Sequence, residues 1–599
     1  MIKYVFDNNC LWYYNETMTL MLENLNEKQL SAVKTTEGAL LVLAGAGTGK
    51  TRVLTTRIAY ILNSGLCNPW NILALTFTNK AANEMKNRLA TMSSGAWYAG
   101  DIWCGTFHSI CLRILRANTI AAGLQQNFLI YGEDDQKAVI KSILSGTTTT
   151  KSPADYVEEF SIAKDKGLIA YQSKDKLFNA YNAELQRLNA VDFGDIILRV
   201  LKLFNEHPDI LSRYQNQFKY ILVDEFQDTN TAQMELLRML TSNIEHPNIC
   251  CVGDDDQSIY QFRGAKPEIM LNFCKDYPQA KQVLLNYNYR STKEIVKTAL
   301  HVISYNKKRF SKEILAVKPK GLPIKVEKFA TQNEEGERIV QLIREYKSSG
   351  IPYKEIALLF RTNTQARSVM GKLLSYNIPF QMRDVIPNLF EHWIAKNIIA
   401  YMKLALGSRE RGLVLEIMNR PNRYLARDVL KYPQVDFLWW KKAYKDKNWM
   451  VERIAQLEND LHYIAQLTPY ATIQYIRKGM GYESYLGEYA QYRRMNVEDL
   501  LETLTELQES SKGFQTFEQW FAYMEQYKKE LEYQKEKRRQ QNIDGVVLAT
   551  MHSSKGLEYE VVILPDVNEG ITPYKKAISE EELEEERRMY YVAMTRAKQ

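Results

Sequence analysis

Through the first half of the chain, short apolar runs alternate with longer amphipathic stretches. LLVLA (40–44), NILALTF (71–77), KYILVDE (219–225) and NICCVGD (248–254) each end in a polar or glycine-bearing loop. Their apolar residues are consecutive rather than every second one, which predicts strands covered on both faces, as in a parallel sheet. With helical patterns between them, these runs predict an α/β sheet carrying helices on both sides. Residues 111–190 lack such runs and read as a helical insertion. A second set follows: PIKVEKF (323–329), IALLFRT (356–362), GVVLATM (545–551) and EYEVVILPDV (558–567). The long stretch between the second and third of these is aromatic, charged and helical in pattern. The expected architecture is two α/β domains, each interrupted by a helical insertion.

Composition narrows this only a little. A chain of 599 residues exceeds what one core supports, so several domains are expected. With 45% hydrophobic and 25% charged residues it is ordinary globular protein. The net charge of +7 permits a nucleic-acid partner, but many unrelated enzymes carry a similar excess. None of the seven cysteines lies after Cys274, and no pair has zinc-site spacing. Cys250 and Cys251 read as buried strand residues. No uninterrupted apolar stretch of membrane-spanning length and no signal-like N-terminus is seen, so a reduced, cytoplasmic setting is expected.

Candidate chemistry begins at LLVLAGAGTGKT, where an apolar strand runs into Gly45, Gly47, Gly49, Lys50 and Thr51. Glycines let backbone N–H groups approach phosphate oxygens. Lys50 then reaches the β- and γ-phosphates, and the Thr51 hydroxyl is a magnesium ligand. The general pattern wants glycine at position 44, where this chain has Ala44. KYILVDE supplies the carboxylate pair such a site needs: Asp224 to hold magnesium and Glu225 to orient and deprotonate the attacking water. An acidic pair at a strand end is more often a solvated loop, and only the Lys50 loop upstream makes the catalytic reading the better one.

These segments occur in a longer ordered series. LNEKQ (25–29), AGAGTGKT (44–51), LTFTNKAANEM (75–85), GTFHS (105–109), VDEFQDTN (223–230), VGDDDQSIYQFRGA (252–265), NYRS (288–291), HSSKGLE (552–558) and YVAMTRA (591–597) follow one another. The series resembles the UvrD/PcrA/Rep group of superfamily 1 helicases. The resemblance implies an α/β chain of two RecA-like P-loop motor domains in tandem, using ATP and Mg2+. The first motor would comprise residues 21–110 and 190–283, with an insertion over 111–189. The second would comprise 284–384 and 541–599, with an insertion over 385–540. Gln29 would read the adenine edge and Tyr289 stack on it, while Ala44, Ala46, Thr48 and Arg52 complete the nucleotide loop. Asn26 and Gln29 also fit a helix capping box, which could coexist with base recognition. Gln257 would sense the γ-phosphate, Arg290 and Arg596 would contact it, and Glu558 would meet the ribose. A guanidinium fork suits the charge that spreads over phosphoryl oxygens.

The same resemblance implies a DNA track. Phe77, Tyr260 and Phe262 would be base platforms, with Arg263 on a phosphate. Asn79, His108, Arg361, Asn363 and His552 would line the groove, and Phe193, in DFGDI (192–196), would be a further contact. The bland alternative is a core aromatic or a structural loop histidine. Phe262 stands where the family usually has Trp. RPNRYLARD (420–428) lacks the glycines of the family's duplex-binding turn, although MGYESYL (480–486) and NVEDLLETL (496–504) fit. The implied activity is ATP-driven 3′→5′ movement on single-stranded DNA with duplex unwinding at single-strand/duplex junctions, beside repair or replication proteins. The alternatives are a translocase that strips bound proteins, or the motor of a helicase–nuclease. Residues 1–20 match no motif and are expected to be dispensable. The segment EELEEERRMYYVAMTRAKQ reads as one helix, with a Glu584–Arg588 pair and Arg596 loosely held in its last turn. The family's following strand is missing, so an incomplete second motor sheet is expected.

Overall fold

The structure is a computed structural model that describes residues 22–93, 97–145, 151–165, 175–385, 387–493, 496–537 and 544–599. The expectation for residues 1–20 lies outside them. Two compact units divide the chain. The first holds residues up to Lys328 together with Glu355–Arg361 and Thr550–Gln599, and the second holds Phe329–Lys354 and Thr362–Ala549.

Four of the expected strands form where the apolar runs lie: Leu40–Ala44, Ile72–Thr76, Tyr220–Val223 and Ile249–Gly253. Trp103–Thr106 and Lys281–Leu285 join them in a six-stranded sheet. Its order across the sheet begins at Trp103–Thr106 and continues through Ile72–Thr76, Tyr220–Val223, Ile249–Gly253 and Leu40–Ala44 to Lys281–Leu285, every pair parallel. Leu40 lies opposite Cys250 and Val42 opposite Val252.

Successive residues of a strand point to opposite faces, and both faces are covered. Leu41, Leu43, Leu73, Leu75, Ile221 and Val223 join one core with the helices Phe107–Ala117, Phe193–Glu206 and Thr231–Thr241. Leu40, Val42, Ile72, Ala74 and Leu222 join a second core with Glu27–Lys34, Lys50–Asn63 and Asn79–Met92. The carboxyl ends of all these strands therefore open onto one edge, where a parallel sheet presents ligand-binding loops.

The described residues of 111–190 are mainly helical as expected, with a two-stranded parallel ribbon, Leu129–Ile130 against Ala190–Val191, that was not expected. In the first unit Ile356–Phe360 also pairs in parallel with Val561–Ile563. The chain's last residues run beside the segment that leads into Val561: Tyr559 bridges Ala597 in parallel, and the Lys598 N–H donates to the Tyr559 carbonyl at 2.9 Å.

Two expectations fail here. PIKVEKF forms no strand. Its alternating apolar residues stand in solvent, Val326 being 94% exposed, because alternation gives a strand only where another strand completes the ladder. The terminal helix spans Glu580–Met594 and stops before Arg596. Arg596 is 2% exposed and donates to the carbonyls of Val592 (2.8 Å) and Leu557 (3.3 Å), so it is anchored rather than loose. The Glu584–Arg588 pair forms at 3.1 Å.

The second unit is helical around aromatic packing. Phe390 meets Trp520 and Tyr527 edge-on, at centroid distances of 6.0 and 5.3 Å. Its short parallel pair joins Phe380–Met382 to Val546–Leu548. The RPNRYLARD segment has no regular structure, and Tyr424 takes φ +54° there with its ring exposed.

Candidate functional site

The loop after Leu40–Ala44 turns through Gly47 at φ +68° and Gly49 at φ +88°. A Cβ at Gly47 would stand 2.7 Å from the Arg290 Cβ and 3.0 Å from the Asn288 side chain. At Gly49 it would stand 3.0 Å from Gln29 Nε2. The loop is thus kept bare on both counts, backbone conformation and space. Thr48 Oγ1 donates to the Gly45 carbonyl (2.9 Å), and Asn288 Nδ2 donates to that of Ala46 (2.7 Å). Lys50, Thr51 and Arg52 open the helix Lys50–Asn63, whose first N–H groups have no partner within the helix and face the loop. Bare glycines, a helix N-terminus and a lysine together fit a phosphate chain.

Asp224 and Glu225 follow the strand Tyr220–Val223 directly. Thr51 Oγ1 donates to Asp224 Oδ2 at 3.3 Å, so the two residues expected to hold magnesium converge. Burial, then the charge of Glu225, raises the Asp224 carboxyl to about 7 against the opposing pull of Lys50. A divalent cation at this pair would hold it ionised, so the donor set fits Mg2+. Glu225 sits at φ +51°, an uncommon conformation for a residue with a side chain. Burial alone would raise its carboxyl, but Lys50, Lys555, the Gln227 amide and Arg596 hold it below the usual range. The result is one carboxyl held above the usual carboxylate range beside another held below it.

Gln257 follows the strand Ile249–Gly253. Its Nε2 donates to Asp254 Oδ2 (2.5 Å), and its Oε1 accepts from Arg596 (3.4 Å). A carboxylate only accepts and a guanidinium only donates, so the amide has one orientation that satisfies both. Lys312 secures Asp254 from the other side at 2.5 Å and also pairs with Asp255 (2.6 Å) and Asp256 (2.8 Å). Arg309 grips Asp256 with two hydrogen bonds. Burial, with Arg290 nearby, works against the charged form of Arg596, partly offset by Glu225.

Arg290 donates to Glu558 Oε2 (2.8 Å) and to the Thr595 carbonyl (3.2 Å), so two expected nucleotide contacts are paired with each other. Gln29 completes the capping box with Asn26 and also donates to the Thr48 carbonyl (3.0 Å). The capping box forms, and the same side chain reaches the nucleotide loop. Asn26 Nδ2 reaches the Tyr289 hydroxyl at 2.7 Å, which leaves the Tyr289 ring half exposed above the loop.

Sequence reasoning gave no role to Lys555, Asp228 or Lys312. Lys555 Nζ meets Asp228 Oδ2 at 2.5 Å and the Gln257 carbonyl at 2.8 Å. Both Lys555 and Asp228 stood inside segments singled out by motif, a signal that was present. For Lys312 no local signal exists, since its three carboxylate partners lie far back in the chain.

The expected strand contacts form separate groups. Phe262 is 57% exposed, and its ring lies 6.0 Å from Tyr260 and 5.4 Å from His552, with Arg263 over both aromatic rings. Phe193, also exposed, meets His108 edge-on at 6.2 Å. Phe77 is half buried against Phe107 (5.7 Å), while Asn79 is exposed at the start of its helix. Arg361 is engaged: its guanidinium takes Glu586 in a forked pair at 2.8 and 3.0 Å. Asn363 belongs to the second unit, where its Nδ2 lies 3.4 Å from the Val385 carbonyl. Among the described residues, no helix is long and apolar enough to cross a membrane.

Comparison with known proteins agrees with this geometry. Residues 25–278 match the UvrD/REP helicase N-terminal domain, and residues 283–599 match the UvrD-like helicase C-terminal domain. The ATP-dependent DNA helicase PcrA of Staphylococcus epidermidis is 34% identical over 97% of this chain and 83% of its own length. PcrA of Staphylococcus aureus shows the same identity and the same shares. Two family models in tandem cover nearly the whole chain: the chain belongs to the UvrD/REP family of helicases.

Proposed function

We propose that this chain is an ATP-dependent DNA helicase that moves 3′→5′ along single-stranded DNA and separates duplexes. The observation that carries the reading is the meeting of Gln257 and Arg596 beside the Asp224–Glu225 pair and the glycine loop. Arg596 comes from the end of the chain and Lys50 from its beginning, so a nucleotide between them would be read by both tandem motors. The motors comprise residues 21–110 with 190–283, and 284–384 with 541–599, and the insertions comprise 111–189 and 385–540.

Lys50 and the loop N–H groups would hold the phosphates, and Thr51 and Asp224 would hold Mg2+, whose positive charge would offset that of the phosphates. Glu225, kept ionised by its cationic neighbours, takes the proton of the attacking water. Arg596 and Arg290 bring positive charge to the transferring group, and Gln257 senses it. Phe262, Tyr260 and Phe193 offer rings to bases without reading their sequence.

The test is ATP turnover with and without single-stranded DNA, followed by strand displacement from 3′-tailed and 5′-tailed duplexes. Stimulation by the strand and displacement from the 3′-tailed substrate alone are expected. The exposed Tyr424 in place of a glycine turn favours a second reading, a strand translocase that removes bound proteins without unwinding. Stimulated turnover and protein displacement with no strand separation would select it.

A further inference from the structure

The terminal helix Glu580–Met594 starts with Glu580, Glu581 and Glu582 behind a Ser579 capping box, as the helix dipole favours. Three more consecutive glutamates, Glu584, Glu585 and Glu586, lie past that first turn, where the dipole gives them little. Each holds a different segment. Glu584 accepts from the Lys307 N–H (2.6 Å), and Glu586 takes the Arg361 guanidinium and the Tyr574 N–H (3.0 Å). Glu585 Oε1 accepts from the Gln261 N–H at 3.0 Å.

That last contact falls at a weak point. Gln261 opens the short 3-10 turn Gln261–Arg263 that presents Phe262, and the turn has no side-chain cap of its own. The preceding turn, Asp255–Gln257, is capped by Asp254. An uncapped single turn frays readily, since its first N–H groups lack partners. Glu585 supplies the missing acceptor from a helix far along the chain. Burial raises its carboxyl, and the Gln261 N–H opposes that rise, so the contact offsets part of the cost of seating the group there. The same helix delivers Arg596 to Gln257 just beyond its other end.

We propose that Glu585 is a positioning residue that caps the aromatic turn and so ties the helix leading to Arg596 to the strand-facing rings. The inference rests on the reading that Tyr260 and Phe262 touch a single strand. It gives the terminal helix a second task, in which a shift of Arg596 at the nucleotide is felt at the ring platform through one carboxylate.

The experiment compares the full chain with its Glu585→Ala and Glu585→Gln variants. Thermal melts check the fold, a fluorescent oligothymidylate reports strand affinity, and ATP turnover is followed without strand and across a strand titration. For Glu585→Ala, unstimulated turnover stays at the unsubstituted level. Strand Kd and the strand concentration for half-maximal stimulation both rise about threefold to tenfold, the range for one hydrogen bond. Glu585→Gln keeps an acceptor oxygen and stays within about twofold of the unsubstituted protein. Unchanged strand affinity in Glu585→Ala overturns the inference. So does an equal loss in Glu585→Gln, which would implicate charge rather than the cap, or a parallel fall in unstimulated turnover, which would mean general disruption of the helix. If the unsubstituted chain shows no strand stimulation, the functional reading itself falls, and this inference with it.

Discussion

Around Asp224 the site is buried and paired: Asp224, Asp228, Gln257 and Arg596 are enclosed, and each meets a partner of complementary charge or hydrogen-bonding sense. Around Phe262 the ring stands in the open, with the partly buried Tyr260, His552 and Arg263 beside it. Both regions belong to the first unit, and both grow from the same edge of the six-stranded sheet. On the proposed function, the difference lies in what each must do. Charge stabilisation gains from a pre-set, water-poor arrangement, whereas stacking on a passing base needs an accessible face. Substitutions should therefore act sharply and on turnover in the first region, and gently and on affinity in the second.

The sharpest break is expected at Glu225. Glu225→Gln preserves size and hydrogen bonding but removes the base, so nucleotide still binds while turnover falls on the order of 10²-fold or more. Lys50→Ala removes a contact present before and during reaction, so affinity and turnover fall together. Near-normal turnover in Glu225→Gln would reassign the base. Arg596→Ala comes next: DNA-stimulated turnover is suppressed and strand affinity stays within a few-fold. An unimpaired stimulated rate would shift the role to Arg290. Phe262→Ala should weaken single-strand binding by about 1 kcal/mol, the low end for a base–aromatic stack, with unstimulated turnover unchanged. A loss of unstimulated turnover there would erase the contrast between the two regions.

The smallest effect concerns Asp165, which accepts from Asn230 and lies against Gly264 below the ring platform. Burial, then the charge of Asp192, raises its carboxyl to about 6. A carboxyl raised on folding costs stability once pH exceeds its unfolded value, and the cost is complete above its folded value. Asp165→Asn should therefore raise the melting temperature by a few degrees near pH 7.5, with the gain vanishing toward pH 4. An equal gain at both pH values would show that charge is not the cause.

The paired region was also the more legible one. Lys50 and its glycines follow an apolar strand, and Asp224–Glu225 follow another, so sequence order alone put them at strand ends. Six consecutive strand neighbours were not all visible, however. Trp103–Thr106 ends in Gly105 and Thr106 and has only two apolar residues, and Lys281–Leu285 begins with two polar residues. PIKVEKF had the alternation without the ladder. Arg361 was expected on the strand track, and its pairing with Glu586, a residue remote in sequence, was not legible. The same holds for Lys312 and its three aspartates. Local pattern reports what a segment can form, while such ion pairs depend on which segments the fold brings together.

The knot of Lys312 and Arg309 on Asp254, Asp255 and Asp256 has a consequence for ionic strength. Mobile ions screen charges they can surround, and Lys312 is sealed from them, whereas Arg263 beside Phe262 is not. Added salt should loosen the chain's hold on a polyanionic strand steeply, by displacing the advantage of counterion release. The orientation of Gln257, fixed from behind by that sealed knot, should hardly notice. Across a range of salt, the protein would let go of DNA while its nucleotide site kept its shape.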